Sequence, residues 1–371
     1  RPLMLAIISS VGNMDKLEQI RKDNLKRAGI IKGSTKTKKV GIVWLSYNVH
    51  GNEANSTEAA MKTLHALADK SNITTQEWLK NTVVIIDPSV NPDGRDRYAN
   101  WYRMTANRWP DADPLGREHM EPWPGGRTNH YYFDLNRDWA WQTQIESQQR
   151  IIKYNEWLPH IHVDFHEQGY NSPYFFAPAA KPLHQYITDW QRDFQKTIGL
   201  NHAKYFDRNN WLYFTKESFD LLYPSYGDTY PTYNGAIGMT YEQAGHSRGG
   251  LAIETEDGDT LTLADRLEHH YTTGLSTIEV ASKNVEKMVN EFSDFFNPNR
   301  KELVDTFKSY VITRSNPTDK LNHLKSWLDN NGIEHRTSDE TRSFRAFNYQ
   351  NGLTDLIKVK KGDLVISSNQ P

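Results

Sequence analysis

In the stretch YNVHGNEANSTEAA, His50 and Glu53 stand three positions apart at the end of the apolar run VGIVWL (40–45), just before a helical pattern over 55–68. An imidazole and a carboxylate at this spacing come to one side of a single turn, and both are good zinc ligands once a second histidine arrives from elsewhere. Alone, His-x-x-Glu is most often a surface pair. The second histidine is offered by PHIHVDFHEQG, whose strict alternation places Ile161, Val163 and Phe165 on one face of a strand and His160, His162, Asp164 and His166 on the other. His162 and His166 would pair on a helix, but the period of two argues for a strand. His166 is then the residue at the strand's C-terminal end, the edge at which open α/β sheets bind ligands, and it can meet His50 and Glu53 there. His160 and His162 read as packed, hydrogen-bonded core or subunit-contact histidines. A catalytic zinc also needs an open coordination position and a base. Glu242, in AIGMTYEQAG at the end of another apolar run, is the candidate base, because a carboxylate there is hard to explain as core.

The elements that must position these groups alternate along the chain. The strand-like runs LMLAIIS, VGIVWL and TVVIIDPS are separated by helical patterns over 14–26 and after Glu53, which predicts an α/β sandwich with a largely parallel sheet. Residues 91–127, rich in Pro, Gly, Trp, Arg and Asp, break the rhythm and read as a long structured loop. Helix is expected again from Asp138, strand over 161–166, helix over 183–197, strand over 236–242 and one long helix over 261–292. Asn297, Pro298 and Asn299 form a plausible linker, dividing the chain into a catalytic domain of residues 1–298 and a small α/β unit of residues 299–371 that begins strand, helix, strand. That unit carries no chemical motif.

Composition narrows the partners. With 44 basic and 46 acidic residues among 371 the net charge is −2, so no global field points to nucleic acid or an anionic membrane. The absence of cysteine excludes disulfides, thiolate zinc ligands and a cysteine nucleophile. No apolar stretch is long enough to span a bilayer. The sequence opens within one strand-like run and stops as another ends, which reads as a segment cropped at both ends.

Five motifs, HGNE (50–53), NPDG (91–94), DLNRDW (134–139), DFHEQG (164–169) and TYEQAG (240–245), resemble in their order the signature of the zinc metallocarboxypeptidases. The HGNE and NPDG forms are closer to the regulatory and bacterial branches than to the digestive enzymes. The resemblance implies a mixed, mainly parallel eight-stranded sheet flanked by helices, and hydrolysis of C-terminal peptide bonds with one zinc ion. It assigns His50, Glu53 and His166 as metal ligands, Glu242 as general base, Asp134 as the carboxylate behind His50, and Asn136 with Arg137 as the grip on the substrate's terminal carboxylate, a task suited to a guanidinium fork. For the arginine that stabilises the oxyanion, spacing favours Arg103 over Arg97 and Arg108. For the family's mobile tyrosine, spacing favours Tyr223 among Tyr223, Tyr226, Tyr230 and Tyr233. The insertion between NPDG and DLNR departs from the family and could be a lid or a substrate platform. Asp228 lies near where family members set side-chain preference, leaving a basic terminal residue open. Related folds also act as amidases on N-acyl amino acids or cell-wall peptides, or bind peptides without catalysis; the intact ligand set and Glu242 weigh against the last. A peptide substrate and a secreted or periplasmic location complete what the resemblance implies.

Overall fold

The computed structural model describes residues 2–297 and 307–370. The expected boundary at Pro298 and Asn299 lies outside the described residues. The strands from the start of the chain to the end of the main sheet are β1 (Ala6–Ile8), β2 (Gly41–Tyr47), β3 (Thr82–Asp87), β4 (Ile161–Gln168), β5 (Tyr174–Phe175), β6 (Ala180–Leu183), β7 (Tyr213–Phe214), β8 (Asp220–Leu221) and β9 (Ile237–Ala244). The main sheet has the order β1-β3-β2-β4-β9-β5-β7; β1 with β3 and β5 with β9 are antiparallel, and the other four pairings are parallel. Strands β6 and β8 pair separately. This is the mixed, mainly parallel architecture expected, with seven strands in the main sheet among the described residues rather than eight.

Helices cover both faces. The helices Asn55–Ala68, Asp189–Asn209 and Leu263–Lys283 send Ala59, Leu67, Phe194, Ile198, Phe206 and Ile278 against Val43, Leu45, Val163 and Phe165. On the other face, the helices Leu17–Arg27, Ile145–Trp157 and Val285–Phe295 bring Ile20, Ile151, Tyr154 and Phe292 onto Ile42, Trp44, Val83 and Ile85. Strands buried on both faces need near-continuous apolar runs, which β2 and β3 have. Strand β4 is the exception, carrying polar side chains on a buried face. There His160 Nδ1 accepts the backbone N–H of Ile42 at 2.8 Å, while His162 lies edge-on to Trp139 and Tyr154. Both histidines are thus packed in the core and remote from a ligand role.

Three local expectations change. Residues 91–127 are not loop throughout: Asn91 caps a helix over Pro92–Thr105, its side chain accepting Gly94 N, with Pro92 in the first turn where its missing N–H costs nothing. The long C-terminal helix is two, Leu263–Lys283 and Val285–Phe295, divided at Asn284, whose φ and ψ of −120° and 18° are non-helical. The helix expected over 183–197 starts later, at Asp189, behind a Thr188–Gln191 capping box. After residue 307, strand Ser309–Ile312, helix Thr318–Asn330 and strand His335–Thr337 follow in the expected order, both strands pairing with Leu364–Ser367. The Trp327 indole N–H donates to the Ala140 carbonyl at 2.6 Å, tying this segment to the loop before helix Ile145–Trp157. Among the described residues no helix is long and apolar enough to cross a membrane.

Buried histidines give the fold a pH signature. His202 is fully buried between Ser276 Oγ (2.7 Å) and Tyr241 OH (2.8 Å), and burial pushes its ring down to about 3. An unfolded histidine titrates near ~6.5, so the stability held by the neutral ring is complete above that pH and is lost as pH falls toward about 3, the unfolded chain taking up the proton. In His202→Gln, the loss of unfolding free energy between pH 6.5 and 5 should shrink by up to ~1.4 kcal/mol per pH unit in denaturant titrations. An equal loss in both proteins would contradict this.

Candidate metal centre and active site

At the C-terminal end of β2 the chain turns through Asn48, whose φ is 62°. The Asn48 side-chain amide donates to the carbonyls of His50 (2.9 Å) and Glu53 (3.0 Å), knotting the loop so that both side chains point toward β4. His166 arrives from the end of β4. The Glu53 carboxylate sits between the imidazoles: Oε1 is 2.8 Å from His50 Nδ1, and Oε2 is 3.1 Å from His166 Nδ1. All three residues are buried, and one donor atom from each lies within 4.8 Å of the others. The opposite ring nitrogens are also committed. His50 Nε2 is 3.0 Å from Asp134 Oδ1, and His166 Nε2 is 2.8 Å from Asp164 Oδ2. With each Nε2 committed to a carboxylate, each Nδ1 is left facing the common point, where it can hold a proton against Glu53 or, once that proton leaves, offer a lone pair to a metal ion. Asp134 is where it was expected. Asp164 is a partner that the motifs do not single out, although its place two residues before His166 on the same strand face is visible in the sequence.

This donor set fits zinc: two oriented imidazole nitrogens and a carboxylate, buried, with a cavity on the open side. The electrostatics agree. Burial would push Glu53 up, yet His50 and His166 hold it well below the carboxylate range. Burial would likewise lower His166, but Asp164 and Glu53 raise it well above an ordinary histidine. The pocket therefore draws positive charge, which a dication would supply.

Glu242 stands opposite His166 in the β4–β9 register, so its carboxylate reaches the same edge. Burial pushes it up to about 8; His166 and Arg127 oppose this, and Glu53 and Asp164 reinforce it. The cavity these groups share has a volume of about 340 Å³, and its wall includes Arg127, Asn136, Arg137, Tyr226, Asp228 and Thr240. Asn136 Oδ1 accepts Gly227 N at 2.8 Å and its Nδ2 is 3.3 Å from His166 Nε2. The Arg137 guanidinium lies over the Tyr226 ring, 4.7 Å from its centroid. Asp228 accepts from the hydroxyls of Thr229 and Thr240, both at 2.9 Å, and burial raises it to about 6. Glu167 lines the cavity too, but its oxygens take Asn55 N (3.0 Å) and Arg266 Nη1 (3.1 Å), which marks it as a structural tie.

Two expectations are corrected. Arg103 sits exposed on the last turn of helix Pro92–Thr105 and does not line the cavity. Arg108 is exposed beside Trp109, and Arg97 donates to the Gly125 carbonyl at 2.9 Å. The arginine on the wall is Arg127. Its Nη2 is 3.0 Å from Asp134 Oδ2, and its Nη1 is 3.4 Å from His50 Nδ1. None of the arginines of helix Pro92–Thr105 lines the cavity, and the chain returns to the site only after the insertion. Tyr223 is also displaced: it is over a third exposed, its hydroxyl accepts from Trp141 Nε1 at 2.8 Å, and Tyr226 takes the place on the wall, ring centroids 5.0 Å apart.

The family model for zinc carboxypeptidases matches residues 1–202. No curated protein matches the chain. Among solved structures, the chain is similar to a metallo-carboxypeptidase from Pseudomonas aeruginosa, with 12% identity and TM-score 0.48 over 68% of this chain and 59% of that one. A metallo-carboxypeptidase from Burkholderia cenocepacia gives 15% identity and TM-score 0.47 over 69% and 60%. Carboxypeptidase A from Helicoverpa armigera gives 16% and 0.43 over 79% and 65%. The chain thus spans less than two thirds of the length of each.

Removing the carboxylate behind His50 tests the orientation argument. Asp134→Ala should weaken zinc binding roughly 10–100-fold in competition with a chromogenic chelator. Unchanged affinity would show that Asp134 does not orient the ring.

Proposed function

The chain belongs to the zinc carboxypeptidase family, and on that footing we propose that it removes C-terminal residues from peptides, with one zinc ion held by His50, Glu53 and His166. The observation that carries this reading is the pair of guanidinium groups, Arg127 and Arg137, on the wall of the cavity that contains Glu242 and the three ligands. A carboxypeptidase needs two anion sites, one for the substrate's permanent carboxylate and one for the charge that develops on the scissile carbonyl.

When bound, zinc supplies Lewis acidity and a more acidic water. Arg137, half exposed and stacked on Tyr226, grips the terminal carboxylate, with Asn136 beside it. Arg127, on the ligand side, faces the carbonyl oxygen as it gains charge. Glu242 accepts the proton of the attacking water and returns it to the leaving amine. A carboxyl that burial pushes up holds a proton more tightly than an exposed one, which suits a group that must take a proton and give it back.

Amidating the substrate's C-terminus replaces a charge-assisted contact worth about 1.5–3 kcal/mol by a neutral one, so kcat/KM should fall roughly ten- to a hundredfold relative to the free acid. Equal rates on the two would overturn the exopeptidase reading while leaving zinc hydrolysis intact. Glu242→Gln should keep stoichiometric zinc, measured by atomic emission, and lose about a hundredfold or more in kcat. Near-native turnover would remove Glu242 as the base.

A further inference from the structure

Arg127 reaches the cavity at the end of a long excursion, which begins where helix Pro92–Thr105 ends. Its return is fixed by a crossing of three backbone segments, at Gly51 beside the ligand His50, Gly94 in the first turn of the helix, and Gly126 beside Arg127. A Cβ on Gly51 would lie 2.1 Å from Gly94 C and 2.6 Å from Gly126 O, and one on Gly126 would lie 2.5 Å from Gly94 O. The backbones approach so closely that no side chain fits between them.

Polar contacts then pin each residue of the returning segment. Arg97 Nη1 donates to Gly125 O at 2.9 Å, and Asn91 Nδ2 donates to Arg127 O at 3.1 Å. The remaining contact comes from the insertion itself. Glu121 Oε1 accepts the Gly126 N–H at 2.6 Å, and its Oε2 accepts Asn52 Nδ2 at 2.8 Å. One carboxylate thereby joins the residue before Arg127 to the residue before Glu53. The insertion is fastened at its base beside the metal ligands, whatever its outer part does.

We propose that Glu121 is a positioning residue: by tying Gly126 to the ligand loop it sets the Arg127 guanidinium against the site of developing negative charge. This rests on the carboxypeptidase reading for its kinetic consequence, though the clamp does not. Glu121 touches no reacting atom and acts through Arg127, since a displacement of about 1 Å at a charge-stabilising group can cost up to about a hundredfold in rate.

A double-mutant cycle on the zinc-loaded protein tests it. Glu121→Ala should lower kcat on a free-acid peptide by about tenfold or more, with KM and zinc affinity little changed, and Glu121→Gln should restore most of the loss by keeping an acceptor for Gly126 N. In an Arg127→Ala background, Glu121→Ala should add less than about twofold. Equal losses in both backgrounds, or a loss of zinc affinity in place of kcat, would overturn the proposal. Amide exchange decides the clamp independently of turnover: Gly126 N–H should exchange slowly in the unaltered protein and at least about tenfold faster in Glu121→Ala. Unchanged exchange would sink the clamp, whereas an unaltered protein inert toward free-acid peptides would sink the function reading instead.

Discussion

One buried carboxylate, shared between two imidazoles, organises the rest of the site. Glu53 is 1% exposed, and its oxygens meet His50 Nδ1 on one side and His166 Nδ1 and the Glu167 backbone N–H on the other. A lone carboxylate in such a place would cost several kcal/mol and take up a proton. Glu53 instead stays ionised because both rings and a backbone amide stabilise its charge. Each ring is held in turn by a carboxylate at its far nitrogen, so Asp134 and Asp164 decide which nitrogen faces inward. The parallel pairing of β2 with β4 places the strand ends that lead to His50, Glu53 and His166 side by side, and β9 adds Glu242 in register with His166.

Two of the glutamates on the cavity wall are in opposite electrostatic states. Glu53 is held low by two imidazoles; Glu242 is pushed up by burial, with Glu53 and Asp164 adding like charge. Carboxylates whose surroundings drive them apart can divide the work of ligation and proton transfer. Arg127 belongs to this balance, bonding Asp134 while facing Glu53 and His50, so the placement of its guanidinium bears on all three side chains.

How much of this was legible in the sequence depends on how local the cause is. The alternation in IHVDFH was enough to sort the histidines of β4: His166 at the edge, His160 and His162 inside, and Asp164 on the same face as His166. The order of the motifs was enough to bring His50, Glu53, His166, Glu242, Asn136 and Arg137 to one cavity, with Asp134 behind His50, because each lies at or just beyond the end of a short element. Arg127 was not legible by counting, since the path through residues 105–126 depends on backbone contacts among Gly51, Gly94 and Gly126, which are far apart in the chain. Tyr226 was hidden among four tyrosines, and the turn that selects it is set by tertiary contacts: Ser225 Oγ accepting Ala140 N, and Gly227 packed against Asp164. The helix after Asn91 was missed for a local reason: a Pro-Asp-Gly run looks like loop until the asparagine before it is read as a cap.

The most direct measurement is anomalous diffraction above and below the zinc edge from crystals of the zinc-loaded protein. A single strong peak is expected about 2.0–2.2 Å from His50 Nδ1, a Glu53 oxygen and His166 Nδ1. A peak on the Nε2 side of either ring, or at the separate group formed by Asp93, His130 and Glu146 with none between the three ligands, would contradict the metal centre from which the rest is derived.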